Sequence, residues 1–226
     1  MAIASFHNYN TYFTQSEADG YNVYQVQLGE LHIPSGQIIA CDPFFSYEQQ
    51  PLNKTVTPGS YPVTLAIAEV EATHFRVGLA KIQFSKSKAI FWELAVTQDV
   101  PAHELAMLGP NEFIGYEVEA GLGMFIDADF NQTYLQILKA FYQQNENVNY
   151  YDEVLAAEFR KTSGNHPYSR NLGDWNVHCP TKNPTQNSMM FASGWGDGLY
   201  PSYWGLNEEG EVVELITDFL IFGKFE

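Results

Sequence analysis

The run SGWGDGLYPSYWG, from Ser193 to Gly205, concentrates the residues best suited to recognition: Trp195, Asp197, Tyr200, Ser202, Tyr203 and Trp204, set among glycines. Aromatic rings with small residues around them can form a stacking surface for a ligand ring or a socket for a partner's side chain. Asp-Gly is equally an ordinary hairpin dipeptide. The run therefore also reads as a turn whose flanking aromatics pair across neighbouring strands and close the end of a core. The aspartate stands where a phosphate would sit in a glycine-rich cradle, which argues against phosphate binding by the run itself.

The carboxylates Asp42, Asp127, Asp129 and Asp218 form a second set. Asp218 falls on a predicted strand face with Ile216, Leu220 and Phe222, where an unpaired charge is costly. It must be paired, hydrogen-bonded or protonated. Two such groups converging could bind Mg²⁺ or act as acid and base. Otherwise each accepts backbone N–H bonds at a turn. The six histidines, His7, His32, His74, His103, His166 and His178, never fall at HxH or HxxxH spacing. Cys41 and Cys179 make no CxxC pair, so neither a zinc site nor a disulfide is expected, and both are expected to be buried thiols. Ser60, Ser193 and Cys41 are conceivable nucleophiles without an identifiable base. No GxSxG elbow, Walker-type phosphate loop or GxGxxG after a strand is present.

These residues need a scaffold, and its periodicity is mostly that of strands. Tyr21 to Asp42 reads as a hairpin broken at Pro34-Ser35-Gly36, followed by a loop from Pro43 to Thr57. Val63, Leu65 and Ile67 alternate with smaller residues, and the pattern continues over 75–84 and 89–96. Three consecutive antiparallel strands are expected there, with Lys81 and Glu93 as neighbours. A short extended piece over 113–119 and another within 118–130, punctuated by Gly121 and Gly123, precede a helix in which Phe130, Tyr134, Leu135, Leu138, Phe141 and Tyr142 fall at helical intervals, with Asp129 as its cap. A second helix covers 151–161, and a long irregular excursion runs from Thr162 to Asn187. Strands over 188–195, 199–205 and 211–222 complete the chain, joined by Gly-Asp-Gly and by Asn207-Glu-Glu-Gly210.

The chain has 226 residues, 45% of them apolar and 15% aromatic, enough to fold around a sizeable core. Its 27 acidic residues outnumber 11 Lys and Arg, for a net charge of −16, which disfavours nucleic acid and anionic lipid. The charge serves solubility or presents an acidic face to a basic partner. No signal-peptide pattern or bilayer-length apolar run occurs, so a cytoplasmic location is expected.

The segments LGELHIPSGQIIACDP, PGSYPVTLAI, FWELAV, GYEVEAGLGMFIDAD and FASGWGDGLYPSYWGLNEEGEVVELITDF occur here in the order typical of the bacterial family known as domain of unknown function 4241. The chain resembles that family over most of its length. The resemblance implies one domain of bacterial type and supplies no catalytic residues.

The expected fold is α+β: a predominantly antiparallel β-sheet with about two helices packed on one side, in one domain over 1–226 with a helical stretch near 130–162. The expected function is that of an intracellular, non-enzymatic binding or interaction protein, immunity-like or regulatory, taking a basic protein or a small ligand. Its expected binding residues are Trp195, Asp197, Tyr200, Tyr203, Asp218 and Asp42, with no cofactor and no metal. The alternative is a carboxylate-based hydrolase using a divalent metal.

Overall fold

A computed structural model describes residues 5, 7–47, 49–109 and 112–223. In chain order the strands are β1 Glu17–Ala18, β2 Tyr21–Ile33, β3 Ile38–Cys41, β4 Gly59–Glu71, β5 His74–Gln83 and β6 Phe91–Ala95. They continue with β7 Tyr116–Val118, β8 Leu122–Asp127, β9 Trp175–His178, β10 Ser188–Ala192, β11 Gly198–Tyr200, β12 Ser202–Leu206 and β13 Val212–Asp218. The helices are α1 Asn10–Thr14, α2 Ala102–Met107, α3 Ala128–Gln144 and α4 Ala156–Ser163, the last entered through a wide π-turn at Tyr151–Leu155.

Among the described residues every strand pairing is antiparallel. A seven-stranded sheet has the order β1-β2-β4-β5-β13-β12-β6, and a four-stranded sheet has the order β3-β8-β10-β9. A small ribbon joins β7 to β11. The predicted α+β class is therefore correct, and none of the described helices is long and apolar enough to cross a membrane.

Strand alternation explains the layering. Val63, Leu65 and Ile67 point into a core shared with Ile38, Phe125, Met189 and Phe191 of the smaller sheet. Ala66 and Ala68, on the opposite face of β4, join Tyr9, Tyr12, Trp92 and Tyr203 in a second core beneath the N-terminal segment. The far face of the smaller sheet receives Phe130, Tyr134, Leu138 and Phe159 from α3 and α4, the two helices expected on one side.

Several expected pairings fail for one reason: the strand edges are already occupied. β2 and β3 form no hairpin. The Pro34-Ser35-Gly36 corner instead sends the chain into the smaller sheet, where the Ser35 N–H donates to Asp127 Oδ2 (3.0 Å) at the end of β8. Both edges of β5 are taken, by β4 and β13, so β6 pairs with β12. Lys81 accordingly meets Glu214 (3.7 Å), and Glu93 meets Lys54 (3.2 Å), rather than one another. β10 lies between β8 and β9, so Gly196-Asp197-Gly198 joins two sheets and is not a hairpin turn. The β12–β13 hairpin does form, and Asn207 Oδ1 accepts the Glu209 and Glu211 N–H groups across its turn.

Local chemistry accounts for the remaining differences. The cap of α3 is Asp127, whose Oδ1 accepts the Asp129 and Phe130 N–H groups. Cys41 is buried, but Cys179 is exposed, because β9 ends at His178 and Pro180 follows. β13 ends at Asp218. Leu220 adopts a φ of 57° and packs toward the first core, so it leaves the face of Ile216.

Asp218 is buried and accepts hydrogen bonds from Tyr9 O–H (2.8 Å) and Leu220 N–H (2.8 Å). Burial raises its pKa from the ordinary 3.8, while the Leu220 N–H, the Tyr9 hydroxyl and His7 oppose the rise. The folded chain thus holds this proton more tightly than the unfolded chain does. Its contribution to stability is complete below the unfolded value and is lost as pH rises through the folded one. Asp218→Asn keeps the shape and removes the titration. The variant is expected to lose less stability than the wild type as pH rises above about 4. Urea unfolding across that range measures this, and parallel stability curves for the two proteins would refute the assignment.

Candidate functional site

The tryptophans separate sharply by exposure. Trp92, Trp175 and Trp204 are buried, whereas Trp195 is 62% exposed. Its ring is packed at the rim, with the Arg76 guanidinium 5.1 Å from the ring centroid and the edge of His74 at 6.1 Å. Both partners come from the start of β5, just after the tight turn that carries Thr73 at a φ of 61°.

Below this rim lies a cleft of 290 Å³ bounded by Arg76, Arg170, Tyr151, Trp195 and two glycine-bearing segments, Ala120–Leu122 and Ala192–Gly196. The segments are cross-tied. Asp42 Oδ2 accepts the Glu119 N–H (3.0 Å) and Ala120 N–H (2.8 Å), fixing the first. The Ser193 N–H then donates to Gly121 O (3.1 Å), joining the two. The Tyr200 hydroxyl lies 3.2 Å from Ser193 O and 2.9 Å from Gly196 O, and Ser193 Oγ donates to Gly196 O (2.8 Å). Gly194 has a φ of 55°, and a Cβ there would lie 2.8 Å from Phe219 O, so the close approach requires glycine.

The cleft is cationic although the chain carries a charge of −16. Two of the three arginines, Arg76, Arg160 and Arg170, line it, and among the described residues no acidic side chain does. Arg170 is neutralised by the buried Asp174, whose Oδ1 lies 2.6 Å from both Nε and Nη2, while the Arg170 N–H donates to Oδ2 (2.7 Å). Arg76 stands differently. Among the described residues its buried Nε has no hydrogen-bond partner, and no carboxylate comes within ion-pair distance of the side chain. Burial lowers its pKa and nearby Arg170 adds to the effect, while Asp174 partly offsets both. A guanidinium in this state is a fixed fork of donors suited to a carboxylate or phosphate.

Of the six expected binding residues, Trp195 alone lines the cleft, and Ser193, named as a conceivable nucleophile, lines it too. Tyr200 lies beneath the loop and Asp42 behind the opposite wall, each supporting it through backbone hydrogen bonds. Asp197 is exposed and does not line the cleft, so its charge does not occupy the anion position inferred from the sequence. Asp218 and Tyr203 belong to the second core, on the other side of the seven-stranded sheet. Trp195, Asp197, Tyr200 and Asp218 therefore do not line one pocket. No group of three or more His, Cys, Asp or Glu side chains is placed to share a metal ion among the described residues.

Sequence reading missed Arg76, Arg170 and Tyr151. The available signal was the scarcity of arginine in so acidic a chain. A second cluster, also unforeseen, joins His178 Nδ1 to Glu158 Oε2 (2.8 Å) and His178 Nε2 to the Tyr150 hydroxyl (3.2 Å). His178 is fully buried, so this network ties α4 and the π-turn to β9.

No curated protein and no solved structure matches the chain. The family described as "Protein of unknown function (DUF4241)" matches residues 31–217, a span that contains the cleft's arginines, its tryptophan and both of its glycine-bearing walls, and the chain belongs to that family.

Proposed function

We propose that this protein is a binding protein whose recognition site is the cleft between Trp195, Arg76 and Arg170, and that its ligand carries an anionic group. The observation that carries the reading is Arg76, a partly buried cation for which the described residues supply neither a carboxylate at ion-pair distance nor an acid in the cleft lining. A partly desolvated guanidinium without a counter-ion is costly, and pairing it with an anionic ligand offsets that cost. The expectation of a small ligand is thereby favoured over that of a basic protein at this site, because the cleft has the sign that repels a basic partner. A carboxylate hydrolase has less support. Asp218 is enclosed by tyrosines and Asp197 stands outside the cleft.

Trp195 provides the readout, being exposed where the other three tryptophans are buried. Titration with pyrophosphate at low ionic strength is expected to change tryptophan emission with a dissociation constant of about 1 mM or tighter. Arg76→Gln is expected to weaken binding at least about tenfold, in line with loss of a charge-assisted contact. Added salt should weaken the wild-type interaction. An emission change that is the same in Arg76→Gln would contradict the proposal.

A further inference from the structure

A second concavity adjoins the cationic cleft and has the opposite chemistry. Its volume is 420 Å³, and its walls are Phe44, Phe45, Tyr142 and Tyr151 together with Ala120, Asn149 and Glu119. Ala120 and Tyr151 line both spaces, so one compartment opens beside the other across a shared wall. Tyr151 begins the π-turn, whose Tyr151 carbonyl accepts the Ala156 N–H in place of the usual helical spacing. Single π-turns in helices are often found at functional sites.

The aromatic residues of this compartment are only partly covered. Tyr142 is 43% exposed, and Phe44, Phe45 and Tyr151 are half-buried. The Asn149 side chain is already committed, donating to Asp152 Oδ2 (2.7 Å) and accepting the Asp152 N–H (2.7 Å). What remains is ring surface suited to burying a flat apolar group, with the Glu119 carboxylate at its edge as an acceptor. An anion alone would leave this surface wet, and an apolar ligand alone would leave Arg76 unpaired.

We infer that the two compartments form one bipartite site, and that its ligand is a small molecule in which a flat ring is joined to a phosphate or carboxylate. This rests on the cationic cleft being the anion site. The anion sits against Arg76 and Arg170, and the ring lies between Tyr151, Tyr142 and the two phenylalanines. Ring donors, such as an exocyclic amine, face Glu119. The shared wall lets one ligand fill both spaces without a change of fold.

Three probes separate the contributions in the same fluorescence titration: pyrophosphate for the anion alone, phenyl phosphate for a small ring with the anion, and adenosine 5′-monophosphate for a larger ring with a donor. At least one ring-bearing phosphate is expected to bind about tenfold or more tightly than pyrophosphate. Tyr142→Ala, at a partly exposed position, is expected to remove that advantage while leaving pyrophosphate affinity unchanged. Circular dichroism on the same variant checks that it is folded, and Phe45→Ala serves as the second variant. If pyrophosphate binds through Arg76 but neither ring adds affinity, the bipartite site is wrong and the anion site stands. If the rings bind and Arg76→Gln makes no difference, the anion reading is wrong. If nothing binds, both are overturned.

Discussion

Replacing Gly173 by alanine is expected to destabilise the protein by about 4 kcal/mol, the sum of roughly 2 for a strained backbone and 2 for overpacking. Gly173 has a φ of 87°, a region that side chains disfavour. A Cβ at this position would lie 2.2 Å from Phe159 O and 2.4 Å from Phe159 C, both backbone atoms, so no rotamer change relieves the overlap. Phe159 is fully buried in the core under α4 and cannot retreat without opening it. Gly196→Ala is the matching control. Its φ of 111° is also unfavourable, but nothing lies within 4 Å of the added atom. That variant is expected to lose only the backbone share, about 2 kcal/mol. Urea unfolding of both proteins gives the comparison, and equal losses would show that the contact at Phe159 does not matter.

Asp42→Ala is expected to cost about 3 kcal/mol or more, since each unsatisfied donor costs roughly 1 to 3 kcal/mol. Asp42 is completely buried, and its two oxygens accept three backbone N–H groups: Phe44 at 2.8 Å, Glu119 at 3.0 Å and Ala120 at 2.8 Å. Alanine removes both acceptor oxygens and leaves all three donors without them. Asparagine keeps one carbonyl oxygen but turns an amide toward donors, so its loss should be intermediate. Because these bonds hold the wall shared by the two compartments, the alanine variant should also bind pyrophosphate more weakly than the asparagine variant. Denaturation curves rank the three proteins, and an alanine variant as stable as the wild type would show that the wall is fixed by other contacts.

The roles of Asp42 and Tyr200 show where sequence and structure meet. Both residue types announce a constrained environment: an acid just after an apolar strand, and a tyrosine beside glycines and proline. What they constrain is backbone, and backbone partners leave no mark at fixed spacing. The two-residue alternation of β4 identified its inward residues, because alternation follows directly from the pleat. It could not say that β5 pairs with β13, from more than a hundred residues later, and so displaces β6. Sheet order depends on which edges are free, a property of the whole assembly. The glycine run was recognisable as special, and Trp195 does line the cleft. Its partners Arg76 and Arg170 come from β5 and from the excursion before β9, with nothing local to link them.

Asp218 illustrates the complementary case. Its position on a buried face predicted that its charge would be satisfied or suppressed, and it is hydrogen-bonded with a raised pKa. Burial alone does not make a functional carboxylate. The group is closed off by Tyr9 and Tyr203, and it fastens the N-terminal segment to the sheet.

The most direct test of the anion-binding cleft is a crystal structure of the protein grown with pyrophosphate. The account predicts density for the anion in the cleft, within hydrogen-bonding distance of the Arg76 guanidinium and close to Arg170, with Trp195 at its edge. An anion bound only elsewhere, or Arg76 paired instead with a carboxylate of its own chain, would contradict it.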